Sequence, residues 1–342
     1  MFPFPDSRPE SYKINWGKLT LKEVLQKSNL DRRVQRRQLA MRDSSGKGLL
    51  TKELEDYRAI VRVDDNRVFK IGSKRFQLHQ NEDILKLMLD FCDKGHAELA
   101  NVISFDDGAT IAVQAKLNAD LVIPGGSKLE GYAMIAWSHD SSVATCFKGT
   151  STYVVCWNTF VQSLRDKSKA FLKVRHSSAL SPKIISKAKD ILDSLTEDVA
   201  LTNERMKKFS QVHMDSDDRV KFVLRVLGSN SGSLIEQIAE DQETSLLDQV
   251  IIATDIPPED GLQKLGKRII EAIADSPGSN MEASKDTLFG VINGFTYFAD
   301  HVRGRNPENR AKDAFFGEGE RLKSEAMKVA LDITGYGERS FV

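Results

Sequence analysis

Between Glu98 and Trp157 the chain alternates apolar and polar residues in short runs, "ELANVISF", "ATIAVQAKL", "YAMIAWS", "VATCFKG" and "TYVVCW". Turn-forming "DDG", "PGGSKLEG", "HDS" and "GTS" separate them. A period of two bounded by Gly, Asp and Ser predicts an antiparallel meander over about 98–157. The upstream "YRAIVRVDDNRVFKIGS" alternates about Asp65-Asn66 in the same way and predicts a hairpin. Elsewhere the period lengthens. "NEDILKLMLDFCDKG" has apolar residues at 84, 85, 87, 88, 89, 91 and 92, Asn81 as N-cap, acids in the first turn and Gly95 as the stop. After Asn158, "NTFVQSLRDKSKA" opens on a capping residue and predicts a helix, "FLKVRHS" a brief strand, and "SPKIISKAKDILDSLTEDVALTNERMKKFSQ" a long helix with Ser181 as N-cap and Pro182 in the first position.

The expected fold class is α+β: an antiparallel β-meander flanked by helices, followed by a mostly α-helical C-terminal block. By element type the chain divides into a basic N-terminal arm (1–55), an antiparallel-sheet core (56–177) and a helical block (178–342).

Composition narrows the class. The chain has 342 residues, 40% hydrophobic and 29% charged, which fits a soluble globular protein rather than a disordered one. No apolar run approaches the ~18 residues of a membrane span. The start, "MFPFPDSRPESYK", has neither a basic nor a hydrophobic leader region, so no membrane partner and no secretion are expected. Three cysteines, Cys92, Cys146 and Cys156, do not make a disulfide framework and suit a reducing cytoplasm. Net charge is zero, but residues 1–80 hold 18 Lys/Arg against 10 Asp/Glu, an excess of +8 that the remainder cancels. One end of the chain is therefore suited to an anionic partner.

Arg32, Arg33, Arg36 and Arg37 in "DRRVQRRQ" would make one side of a helix strongly positive, a pattern that phosphate backbones reward. Alternation in "KVRHS" puts Lys173 and Arg175 on one strand face, a second anion contact, and Val174 and His176 on the other. Single-strand binding also wants aromatic rings for base stacking, and Trp137, Phe147, Tyr153 and Trp157 are the candidates.

Catalytic signatures are sparse. The chain has no phosphate-binding G-x-x-x-x-G-K-[ST] loop, no strand-associated G-x-G-x-x-G and no G-x-S-x-G nucleophile elbow. His139-Asp140 falls where a two-residue hairpin loop would pair Trp137 with Ser142 and Ile135 with Ala144. A second such loop at Gly149-Thr150 would turn Cys146 and Cys156 to opposite faces, which disfavours a metal held by both. No metal and no cofactor are expected. Asn158 is explained by capping a helix. The catalytic alternative gathers His139, Asp140, Asn158 and His176 at the strand ends as an acid/base cluster for phosphoester hydrolysis, with or without a divalent metal.

Six stretches in order, "RFQLHQNEDILKLM", "GATIAVQAKL", "YAMIAWSHDSS", "YVVCWNT", "FLKVRHS" and "FGVINGFTYFADHVRGRNPENRAKDAFFGEGERLKSEA", resemble the phage/plasmid-like protein family, domain of unknown function 932, over roughly residues 56–335. The resemblance implies a Ser-His-Asp turn at Ser138, His139 and Asp140, and a V-C-x-N-T segment at Val155, Cys156, Asn158 and Thr159. It further implies a basic-His strand at Arg175 and His176, and a C-terminal aromatic helix with Asn293, Tyr297 and His301. The chain departs from the pattern at Lys148-Gly149-Thr150, where the family tends to carry a longer apolar, Pro-containing hairpin leading into an arginine. The habitat of such proteins implies DNA metabolism. The leading expectation is a cytoplasmic, non-catalytic protein that binds or anneals single-stranded DNA as a homo-oligomer; the alternatives are the hydrolase and a virion or assembly protein.

Overall fold

The computed structural model describes residues 14–42, 50–95, 97–153, 158–161, 172–228, 261–304 and 306–335. Its fold is α+β, with antiparallel sheets in the N-terminal half and helices in the C-terminal part. The chain forms two compact units that interleave along it: 1–118, 132–149 and 167–198 make the first, and 119–131, 150–166 and 199–342 the second. The strands at 128–138 and 145–153 contribute to both units.

In the first unit a three-stranded sheet joins β1 (Val34–Arg42), β2 (Leu50–Arg62) and β3 (Val68–Ser73) in that order, all antiparallel. The hairpin expected about Asp65-Asn66 is β2–β3, with Val61 opposite Val68. The arginine segment is not a helix. It is the edge strand β1, because alternate residues pair with β2 through Val34↔Arg62 and Arg36↔Ile60. Arg36 and Arg37 therefore face opposite sides, so the four arginines do not share one face.

The second sheet runs β10 (Leu172–Val174), β8 (Thr145–Tyr153), β7 (Lys128–Ser138), β5 (Thr110–Leu117), β4 (Ala97–Phe105). All but one residue of β5, and nine of eleven on β7, are buried, so both faces of the central strands are covered. Helix α1 (Leu21–Lys27) starts on a capping box in which Thr20 and Glu23 exchange hydrogen bonds. Helix α2 (Asn81–Cys92) buries Ile84, Leu85, Leu87, Met88 and Phe91 and keeps Glu82, Asp83 and Lys86 outside. Gly95, at φ 81°, ends the turn that follows. The N-cap position belongs to Gln80, which has extended backbone, and Asn81 is the first helical residue.

Two expected turns move. The first strand pair separates between Ser138 and Thr145, so His139-Asp140 lie in a six-residue loop rather than a two-residue one. Gly149-Thr150 is no turn, because β8 runs through it. The strand β6 (Leu121–Val122) pairs with the start of β7, and β9 (Asn158–Val161) pairs with the end of β8, Tyr153 opposite Asn158. Asn158 therefore opens a strand and caps no helix; residues 162–170 of the expected helix, and Cys156 with it, lie outside the described residues.

Helix α3 (Pro182–Phe209) starts where Ser181-Pro182 predicts, with Ser181 Oγ accepting from Ile184 N. In the second unit α4 (Ser216–Gly228), α5 (Gly261–Asp275), α6 (Leu288–Tyr297), α7 (Pro307–Phe316) and α8 (Glu318–Ile333) surround a core that includes Phe209, Phe222, Phe289, Phe295 and Phe298. Residues 288–296 of α6 are buried on every side. A side chain on Gly294 would sit 2.5 Å from Ile273 Cα, so glycine is what lets α5 come this close. Among the described residues no helix is long and apolar enough to cross a membrane.

Candidate functional site

The segment 76–80 leads from β3 into α2, and its residues, with Asn81 at the helix start, serve two places at once. Phe76, His79 and Asn81 are buried, whereas Gln77, Leu78 and Gln80 line a groove.

The buried side is a cluster of three imidazoles. His79 places Nε2 3.0 Å from Ser178 O and Nδ1 2.7 Å from Thr145 Oγ1. His176 places Nε2 2.9 Å from Val143 O. A carbonyl only accepts, so both Nε2 atoms carry the proton, and His79 Nδ1 accepts from the Thr145 hydroxyl. His139 Nε2 lies 2.9 Å from Asn81 Oδ1, the oxygen that also accepts from Trp137 Nε1 at 3.1 Å, while Asn81 Nδ2 donates to Leu30 O at 3.1 Å. Trp137 can only donate and Leu30 O only accept, which fixes the amide's orientation and puts the His139 proton on Nε2 too. The Nδ1 atoms of His139 and His176 are buried without a hydrogen-bond partner among the described residues.

Rings fill the remaining space. Phe76 stacks on His176 with centroids 4.8 Å apart, His79 lies 5.6 Å from His176, and Phe69 lies 5.6 Å from His139. Burial pushes the His139 imidazole down to about 4; His176 and His79 push in the same direction, and Asp140 opposes them. Burial lowers His79 likewise, against the Ser178 carbonyl, which favours its protonated form. His139 is therefore neutral near pH 7. The cluster fastens three stretches together: 76–81, the 139–143 loop and 176–178.

The loop also holds itself. Ser138 Oγ donates to Val143 O at 2.8 Å and accepts from Val143 N at 3.0 Å, and Asp140 Oδ1 accepts from Ser142 N at 2.8 Å and Ser142 Oγ at 2.6 Å. Asp140 is thus a turn-forming carboxylate, and His139 is turned inward with 1% of its surface exposed.

The groove, about 450 Å³ in volume, runs between Arg33–Arg36 and the Gln77–Gln80 segment. Gln80 Nε2 donates to Val34 O at 2.9 Å, and Arg36 Nη1 donates to Phe76 O at 3.0 Å. Among the described residues no acidic side chain lines it. Other arginines nearby are neutralised: Arg32 by Asp64 at 3.2 Å, Arg62 by Asp65 and Asp107 at 2.5 and 2.8 Å, and Arg67 by Asp107 at 2.5 Å. Arg33 and Arg36 have no carboxylate partner among the described residues, and hydrogen bonds to neutral carbonyls orient Arg36 without removing its charge. Gln77 N donates to His176 O at 2.5 Å, which brings exposed Arg75 and Arg175 to within two residues of the same junction. Lys173 is exposed on β10, and Val174 is buried, as alternation predicts.

Several expected site residues are placed differently. Trp137, Phe147 and Tyr153 are fully buried and offer no ring to a base; Trp157 lies outside the described residues. His139 and His176 share one cluster, Asp140 turns its carboxylate to Ser142, and the Asn158 side chain lies outside the described residues. Among the described residues no group of three or more His, Cys, Asp or Glu could hold a metal ion. His79, Asn81, Gln77, Gln80 and Arg75 are additions that sequence reasoning missed. The signal for them is faint: a histidine and two glutamines just ahead of a helix whose first residue is polar.

Residues 68–318 match the family described as Domain of unknown function (DUF932). No curated protein and no solved structure matches the chain. The three histidines and Asn81 lie within the matched residues, whereas the β1 wall of the groove, with Arg33 and Arg36, precedes them.

Proposed function

The chain belongs to the DUF932 family, a domain of unknown function, and from that premise we propose that its first unit binds single-stranded nucleic acid without acting on it chemically. The observation that carries the reading is the groove beside β1, with three amide side chains, two arginines that have no carboxylate partner among the described residues, and no carboxylate among its described lining residues. An anionic chain gains there from charge-assisted hydrogen bonds and from counterion release. Arg75, Lys173 and Arg175 extend the positive surface past the groove's inner wall. The histidine cluster serves this function by fixing the backbone from which Gln77 and Gln80 project.

A hydrolase built on His139, Asp140, Asn158 and His176 finds less support. The His139 ring is buried and neutral, and the Asp140 carboxylate is taken up by Ser142. The resemblance to phage and plasmid proteins makes DNA metabolism in a host cytoplasm the context, with self-association as the expected form. The test is fluorescence anisotropy of a labelled oligodeoxythymidine titrated with the purified protein at about 50 mM salt and again at about 200 mM. Binding that weakens steeply with salt is expected; no salt-sensitive binding contradicts the reading.

A further inference from the structure

The β1–β3 sheet has an inner face, where Val34 and Ile60 pack on Phe76, and an outer one. Pairing defines the outer face. Gln35 is opposite Val61 and Val61 opposite Val68; Arg37 is opposite Ala59 and Ala59 opposite Ile71; Tyr57 is opposite Ser73. Directly paired residues of an antiparallel sheet share a face. Arg33 joins this set, since its carbonyl accepts from Val63 N one pair further along.

Three large apolar side chains stand in solvent here: Tyr57 is 52% exposed, Val68 55% and Ile71 60%. Among the described residues Tyr57 is the one aromatic of the exposed large hydrophobics. On the same face lie Arg33, just before β1, and Arg37 on it, four residues or roughly 13 Å apart along the extended chain. Arg37 bonds to the neutral Asn66 Oδ1 at 2.6 Å and so keeps its charge. Asp56, next to Tyr57, is paired with Lys74 at 2.7 Å. The face is a cationic rail beside an apolar lane that ends in an exposed ring.

We infer that this face takes the bases of a bound single strand: phosphates follow Arg33 and Arg37, and bases lie over Val68 and Ile71 and stack on Tyr57. This rests on the nucleic-acid reading above and adds the feature that separates single from double strands, since a duplex hides its base faces. Charge selects this occupant over a second copy of the chain, because an isologous pairing would bring the arginines of two copies, which have no carboxylate partner among the described residues, onto one patch, whereas phosphates neutralise them. The lane is also continuous with the groove, for Gln35 belongs to both.

The test compares three labelled probes, an oligodeoxythymidine, an abasic strand of equal length and a duplex, by anisotropy at fixed salt. Wild type is expected to favour the thymidine strand over the abasic one by about tenfold, as one stacked base is worth by alanine substitution. Tyr57→Ala should lose that factor on the thymidine strand alone, and Tyr57→Phe should keep it. Equal binding of thymidine and abasic strands by wild type, or an unchanged Tyr57→Ala, overturns the inference while leaving the groove reading intact; no binding to any probe overturns both. A dimer seen by light scattering that Ile71→Lys dissociates would assign the face to a second copy instead.

Discussion

His139 Nε2 donates to Asn81 Oδ1 across 2.9 Å, joining the loop after β7 to the first residue of α2. The same oxygen serves Trp137 Nε1, so one amide satisfies two buried N–H groups. Asn81→Leu would strand both donors and the Leu30 carbonyl in a dry interior. A buried group left unsatisfied costs about 1–3 kcal/mol, so a loss of about 2–4 kcal/mol is expected from urea unfolding. A loss below about 0.5 kcal/mol, the range of ordinary surface changes, would contradict Asn81 as the hub of the cluster.

The cluster also sets a pH dependence. Folding lowers the His139 imidazole to about 4 from an ordinary 6.5, and His79 shifts in the same direction. The unfolded chain therefore binds more protons across this interval, and stability rises with pH there. It is fully present above about 6.5 and is lost as pH falls toward about 4, by an amount on the order of 3 kcal/mol for His139. Chemical denaturation at stepped pH should show this decline in wild type and a shallower one in His139→Gln. A wild-type profile flat from pH 7 to 4.5 would contradict the assignment.

In the helical unit two glycines differ in how closely their neighbours approach. A Cβ on Gly290 would lie 1.9 Å from Ser284 O, which is backbone and cannot swing aside. Gly290→Ala should cost about 2–4 kcal/mol through overpacking. Gly266→Ala, whose nearest neighbour is a Leu227 methyl at 3.6 Å, should instead be neutral or stabilising by up to about 1 kcal/mol. Thermal melts of the two variants separate steric exclusion from helix propensity; equal shifts would contradict the packing described.

Legibility in the sequence followed the range of the determining contacts. Helix α2, the start of α3 at Ser181-Pro182 and the β2–β3 hairpin are set by local periodicity and capping, and all can be read directly. Strand β1 cannot, because "DRRVQRRQ" has one apolar residue and its form comes from pairing with β2. Asn81 shows a finer limit: a residue that caps helices well stands one position inside the helix, and its amide serves residues 56 and 58 positions downstream. Gly149-Thr150 and Asn158 carry turn and cap chemistry but lie in β8 and β9, where ladder pairing overrides local preference. The histidine cluster unites positions 79, 139 and 176, which no spacing rule connects.

The salt dependence of binding measures the role of charge in the groove directly. Each phosphate contact on a single strand contributes about −0.7 to the slope of log K against log salt. Anisotropy titrations of an oligodeoxythymidine with wild type and with the double variant Arg33→Ala/Arg36→Ala should give slopes that differ by about 1.4, the variant being shallower and weaker at low salt. Identical slopes and affinities in the two proteins would contradict a groove that holds the phosphates.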